Sequence, residues 1–496
     1  MKGIRLTGFA PLGVLVLLFG GLCYSNLGAV DMLTWDEGEY ASIGRSLIRG
    51  EGYQYGGEPN VIRPPVMPLL IGAGVLLFGD ESDLAAKALL PLFALFTVAL
   101  VYCAVWSECG VGPALLAGWG LAVAPEFTTR AVLALSEPTY MAFQAAAIAC
   151  FFLAFERDKS WFKWGWVCFA LALSTRYTAL LFGPMLLLIL GYEWSRDRDQ
   201  MLRLLRNRTF WLAPFYTVPI LGPWYLREWL VTGNPLHGMQ YASGQIDTYG
   251  DLFMDVAMPW HFYLTALLSG MTWPLALGGA VGLFYGAWMG KRLAVYALVA
   301  TLVILGWHTQ YEYKETRLVT PALPFLALGV GYCAKAWADW VAGWSWLRPL
   351  ALPVAALLLA TWIGLPQIYR YFIFARTLGE PSFLQAMAHV RGSTDPDTRL
   401  LGPNVAQMEW YADRHSRSLP REESALPEML DGVDWVIITN FERGQPSYLR
   451  RVLQQATATD FVGGDVQLFK DDRYVTLLAR PDWLLDKTSS SATDER

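Results

Sequence analysis

The chain has 496 residues and a net charge of −5; 54% of its residues are hydrophobic and only 16% are charged. Soluble chains average about 25% charged residues. The deficit falls before residue 370, where long uncharged apolar runs recur, so the composition excludes an ordinary soluble domain and predicts a polytopic membrane protein with a more polar C-terminal part. No basic stripe is present to neutralise a phosphate backbone, which excludes nucleic acid as a partner. The six cysteines, Cys23, Cys103, Cys109, Cys150, Cys168 and Cys333, fall in or beside apolar runs without metal-ligand spacing and read as small core hydrophobes.

Lys2 and Arg5 precede an apolar run over 9–30 that is longer than the usual signal-peptide core and ends in a poor cleavage context, so it reads as a retained first span. Where that span ends come Thr34-Trp35-Asp36-Glu37-Gly38-Glu39-Tyr40. Ionised residues at the edge of a membrane span are functional candidates by default. Residues 36–49 read as a short amphipathic helix lying at the membrane surface, stopped by Gly50 and Gly52. On such a helix Asp36 and Glu39 share a face, while Glu37 points about 100° away. A capping box between Thr34 and Glu37 accounts for Glu37, and acids in a first turn suit the helix dipole, but neither explains Asp36. After a Gly- and Tyr-rich loop over 50–60 comes Arg63-Pro64-Pro65. Proline restricts the residue before it, so Arg63 is expected to be extended. Its guanidinium then either snorkels at the interface or meets a phosphate bidentately.

A short apolar stretch over 66–78 follows, then expected spans over 84–106, 112–125, 133–155, 162–174, 177–192, 210–226, 273–288, 294–307, 318–336 and 350–365. With the first, these make about eleven transmembrane helices. Lysines and arginines mark alternate loops: Arg157, Lys159 and Lys163; Arg196, Arg198, Arg203, Arg206 and Arg208; Lys291 and Arg292; Lys335 and Arg348. The positive-inside rule then puts the N-terminus in the cytoplasm. It puts the Asp36 loop, the 130–137 stretch, Arg176, the 228–258 loop, the 311–317 loop and the C-terminal part outside. The apolar stretch 261–270 is where a further span would hide. Ser136-Glu137-Pro138 reads as a helix start capped by Ser136. Arg176 has no carboxylate nearby in sequence and needs either a partner in space or an anionic ligand. The long 228–258 loop is expected to shape the acceptor side of any site. Aromatic belts explain the tyrosines of 311–317, and His237, His261 and His308 lack zinc-motif spacing. From about residue 380, strand-like runs over 399–402, 433–439 and 474–478 alternate with helical stretches over 382–390 and 446–455. The expected organisation is a membrane domain over 1–370, a small soluble α/β domain over 380–485 and a disordered tail over 486–496.

The first span, Asp36-Glu37 with Tyr40, the Gly-rich loop, Arg63-Pro64-Pro65 with Pro68 and Leu69, and Phe78-Gly79 together resemble the GT-C membrane glycosyltransferases. The likeness is to the branch with the aminoarabinose transferases of lipid A, the protein O-mannosyltransferases and the galacturonosyl transferases of lipopolysaccharide core. Ser136-Glu137-Pro138, Thr175-Arg176-Tyr177 and Arg317 with Pro321 and Pro324 resemble later landmarks of that group. The resemblance implies a multi-pass inner-membrane enzyme of GT-C fold. It would move a sugar from a polyprenyl-phosphate donor to a lipid, glycan or protein hydroxyl outside the membrane. Asp36, beside Glu37, falls at the catalytic aspartate that acts as base on the acceptor; Arg63, Arg176 and Arg317 would meet the donor phosphate. Glu39 and Glu137 would serve an acceptor or metal site, with a divalent cation as the one candidate cofactor. Glu39 departs from the aminoarabinose transferases, which carry arginine there, so their donor and acceptor do not carry over. A transporter or a non-catalytic lipid-binding scaffold is the alternative.

Overall fold

The computed structural model describes residues 8–32, 34–244, 258–311, 314–341, 351–378, 381–440, 447–455, 466–470 and 475–494. The middle of the expected 228–258 loop, Glu312, Tyr313 and the loop carrying Arg348 lie outside them. Among the described residues, six helical stretches are long and apolar enough to cross a membrane: Phe9–Ala29, Asp83–Cys109, Glu137–Glu156, Tyr177–Arg196, Arg292–Thr309 and Thr316–Val341. The chain is an integral membrane protein. A seventh span arises if Phe262–Gly270 and Trp273–Trp288, bent by 109° at their break, are counted as one. The stretch 261–270 is thus half of a bent pair, and Thr272 at the break has a φ of 65°, a conformation that β-branched residues rarely adopt.

Other expected spans differ from single long helices. Val111–Ala122 and Trp161–Leu173 are apolar but shorter. The expected span 210–226 is divided into Arg208–Leu212, a 3-10 turn over Ala213–Thr217 and Val218–Thr232. Pro214 and Pro219 each remove a helix amide there. Within the membrane part, Trp273–Trp288 and Leu323–Val341 approach so closely that a side chain on Gly282 would strike the Gly329 carbonyl. Small residues permit such backbone contact between membrane helices.

The chain divides into two compact units. One holds Met1–Val30, Val61–Leu70 and Leu84–Ile373; the other holds Asp31–Asn60, Ile71–Asp83 and Phe374–Arg496. The first loop, Asp31–Asn60, thus groups with the C-terminal part. That second unit contains a short hairpin of β1 (Gln54–Tyr55) and β2 (Glu58–Pro59). It also contains a five-stranded sheet of β3 (Arg399–Gly402), β4 (His415–Ser418), β5 (Trp435–Thr439), β6 (Val466–Lys470) and β7 (Val475–Ala479). Its order is β4-β3-β5-β7-β6; β4, β3 and β5 run parallel, whereas β7 is antiparallel to both β5 and β6.

Strand periodicity sorts the core into two layers. Leu400, Ile437 and Leu478 face Phe383, Met387, Val390 and Met408 of the helices Pro381–Ser393 and Val405–Ala412. Leu401, Val436, Ile438 and Leu477 face Tyr448, Leu449, Val452 and Leu484. Leu484 belongs to a helix over Pro481–Asp494, whose Trp483 and Leu485 also pack on this layer. This helix runs to Asp494, and three adjacent apolar residues, Trp483, Leu484 and Leu485, anchor its start.

The helix Trp35–Ile48 departs most from expectation. Every residue from Glu37 to Ser46 is buried, so it is not an amphipathic helix resting on a bilayer. A Cβ on Gly38 would lie 2.7 Å from the Ala406 carbonyl, and one on Gly72 would lie 2.9 Å from that of Gly44. The helix is enclosed by Val405–Ala412 on one side and by the end of Val66–Phe78 on another.

Candidate functional site

The carboxylates of the first loop separate by what holds them. Thr34 caps Trp35–Ile48 in extended conformation: its Oγ1 accepts from the Glu37 amide at 3.4 Å, while Glu37 Oε2 accepts from the Thr34 amide at 3.1 Å and its hydroxyl at 2.9 Å. Glu37 therefore makes the expected capping box. Glu39, 5% exposed, accepts from Trp35 Nε1 at 3.1 Å and Asn60 Nδ2 at 3.0 Å. It fastens the end of the Gly-rich loop to the helix. Asp36 alone of the three is half-buried.

The same helix is gripped further along. Arg45 donates to the carbonyls of Glu409 at 2.5 Å and Trp410 at 2.9 Å, pairs with Asp413 at 3.2 Å and lies over the Trp410 ring. Arg49 binds both oxygens of Glu81 and both of Asp413 at 2.7–2.9 Å. Glu409 Oε2 accepts from the Gly56 amide at 3.0 Å, joining the β1–β2 hairpin to the same frame. Burial pushes the Glu409 carboxyl up from 4.5 to about 7; the Gly56 and Ser416 amides and Arg45 oppose the rise, and Glu39 adds to it. The folded state therefore holds this proton more tightly than the unfolded chain. Its contribution to stability is full below about pH 4.5 and is lost as pH rises through about 7. Thermal midpoints across that range should fall less steeply in Glu409→Gln than in the unsubstituted protein.

The membrane unit carries the cations. Arg63 is partly exposed in its Pro-Pro corner, which is tied to the turn before Arg176 by the Val66 amide donating to the Ser174 carbonyl at 3.0 Å. Arg176 has extended backbone (φ −157°), and its Nη1 contacts Glu137 Oε1 at 2.6 Å and Ser136 Oγ at 3.4 Å. The partner that Arg176 needed in space is thus Glu137, 1% exposed. Ser136 does not cap the following helix through its side chain as expected; its oxygen faces Arg176 instead. Glu137 Oε2 has no hydrogen-bond partner among the described residues. Arg317, paired with Glu315, and Arg130, held by Glu126 at 2.7 and 2.9 Å, lie within electrostatic reach of the same Glu137 carboxylate.

Beside this cluster a recess is lined by Tyr140, Arg176, Thr178, Leu181, Ile304, His308, Leu318 and Pro321. Arg130 belongs to the 130–137 stretch expected outside the membrane, and His308 lacks zinc-motif spacing in the sequence. Arg130 and His308 lie in the last turns of Pro125–Arg130 and Arg292–Thr309, whereas Glu137 and Arg176 stand where their helices begin; position at a span end was the available signal. Among the described residues no three His, Cys, Asp or Glu side chains gather to hold a metal ion, so Glu39 and Glu137 do not belong to such a group.

The family described as dolichyl-phosphate-mannose-protein mannosyltransferase matches residues 62–223, a segment that includes Arg63, Glu137 and Arg176. Comparison with curated protein sequences finds no match. Among solved structures, the chain is similar to ArnT from Cupriavidus metallidurans in the apo state, at 14% identity over 96% of this chain and 99% of that one, with a TM-score of 0.68. It is similar to the same protein bound to undecaprenyl phosphate, at 15% identity over 96% and 98%, TM-score 0.69. The Archaeoglobus fulgidus oligosaccharyltransferase matches at 14% identity over 88% of this chain and 69% of that one, TM-score 0.60. The chain thus shares the fold of these solved proteins.

Proposed function

We propose that the chain is a glycosyltransferase that moves a sugar from a polyprenyl-phosphate donor to an acceptor hydroxyl at the outer face of the inner membrane. The N-terminus is cytoplasmic and the α/β part extracytoplasmic in this reading. The observation that carries it is the group of arginines on the membrane unit. Arg176 is paired to a buried carboxylate with an unpartnered oxygen, Arg63 stands on the adjoining corner, and Arg317 is within reach of the same carboxylate. Guanidinium groups suit a phosphate whose charge grows as the sugar departs. The fold shared with a protein crystallised with undecaprenyl phosphate supports the same donor class.

In the reaction, the acceptor oxygen bonds to the anomeric carbon as the carbon–oxygen bond to phosphate breaks, with inversion in a single displacement. Polyprenyl phosphate leaves with the bonding electron pair, so the arginines act in place of a general acid. The acceptor proton passes to a carboxylate base, and Asp36 is the base in this reading because it holds the place of the first-loop aspartate in the family that this segment resembles. Purified protein in nanodiscs, given labelled polyprenyl-phosphate sugars and a panel of lipid, glycan and peptide acceptors, should transfer label to one acceptor class. Donor binding without transfer to any of them would favour a lipid-binding scaffold.

A further inference from the structure

Glu228 lies near the C-terminal end of the helix Val218–Thr232 and is 0% exposed. A buried carboxylate is costly unless it is hydrogen-bonded, so its partners show what its burial secures. Its Oε1 accepts from the Tyr177 hydroxyl at 3.1 Å, and its Oε2 accepts from the Gly238 amide at 3.3 Å. The Tyr177 oxygen in turn accepts from Trp224 Nε1 at 3.3 Å. Tyr177 directly follows Arg176.

Gly238 is wedged where nothing larger fits. A Cβ there would collide with the Tyr177 hydroxyl and lie 2.5 Å from the Val61 carbonyl and 3.1 Å from Glu228 Oε1. Val61 is two residues before Arg63. The turn leading to Gly238 is itself built: Gly233 ends the helix in the left-handed conformation, and the Asn234 amide donates to Thr232 Oγ1 at 3.1 Å. One carboxylate therefore ties the residue after Arg176 to the start of the loop expected to serve the acceptor, and Gly238 in that loop packs against the segment before Arg63.

Resting on the polyprenyl-phosphate reading, we infer that Glu228 is a positioning residue for the donor phosphate, setting the spacing of Arg63 and Arg176 through Tyr177 and Gly238. The first turn of the 228–258 loop then belongs to the donor side. Glu228→Gln turns one acceptor into a donor, and Tyr177→Phe removes a single hydroxyl, so each breaks one link of the lock without emptying it.

The test is binding of polyprenyl phosphate to the full chain in nanodiscs, together with steady-state kinetics and thermal midpoints. Each variant should weaken polyprenyl-phosphate binding and raise the donor KM by roughly 3- to 10-fold, the loss of about one hydrogen bond. The acceptor KM should hold, and kcat should change far less than the donor KM. If Glu228→Gln does not fold, Tyr177→Phe carries the same test. Unchanged donor binding in a variant that melts as the unsubstituted protein does overturns the inference alone, as does a fall in kcat with donor KM unmoved. Failure of the unsubstituted protein to bind polyprenyl phosphate overturns the donor reading, and this inference with it.

Discussion

Asp36→Asn is expected to lower turnover by roughly 10²- to 10⁴-fold, the range a positioned acid–base group supplies, while binding of polyprenyl phosphate persists. The amide keeps the shape of the carboxylate but cannot take the acceptor proton at neutral pH. Two neighbouring acids provide internal controls. Glu37 closes the cap with Thr34, and Glu39 holds Trp35 and Asn60. Their amide variants should act on thermal stability before turnover, because each loses hydrogen bonds that define the helix start or the loop. Asp36 is half-buried, and the thermal midpoint of its variant, read beside turnover, separates lost chemistry from lost folding. A transporter or a scaffold has no proton to remove from an acceptor, so either would be indifferent to this substitution in its own assay. Undiminished sugar transfer by Asp36→Asn would remove Asp36 as the base.

Arg176→Ala should cost both stability and donor binding, and a second substitution separates the two. Glu137 is buried and makes a 2.6 Å contact with Arg176. Removing the cation strands a carboxylate, a change that costs roughly 3–5 kcal/mol in buried pairs. Adding Glu137→Gln removes the stranded charge, so the double variant should regain most of the lost thermal midpoint. Polyprenyl-phosphate binding should stay weak, because the guanidinium that meets the phosphate is still missing. A double variant that binds polyprenyl phosphate as the unsubstituted protein does would reduce Arg176 to a structural partner of Glu137.

Much of the membrane part was legible because hydrophobic runs and the Arg63-Pro64-Pro65, Ser136-Glu137-Pro138 and Thr175-Arg176-Tyr177 segments are local signals. The capping box was equally local and appears with both of its hydrogen bonds. The burial of Trp35–Ile48 was not legible, since its partners Ala406, Glu409 and Trp410 lie more than 360 residues away. A window over 36–49 gives no sign that Gly38 admits the Ala406 backbone. The short strands β4 and β6 escaped because each stands at a sheet edge, where polar residues such as His415, Arg417 and Lys470 replace an apolar run. The Arg176–Glu137 pair was foreseen only as a need for some partner; sequence spacing carries no information about which span end supplies it.

The interleaving of the second unit bears on biosynthesis. Arg45 leaves the ribosome long before the Trp410 carbonyl that it will bind, 365 residues later in the chain. At elongation rates of about 5–20 residues per second, that interval lasts roughly 20–70 s. Throughout it the nascent polypeptide carries a helix whose inward-facing Glu37, Glu39 and Arg45 await their enclosure. A prematurely terminated product could insert its early spans yet would keep these groups without the wall that shelters them, making it a natural target for membrane-protein quality control.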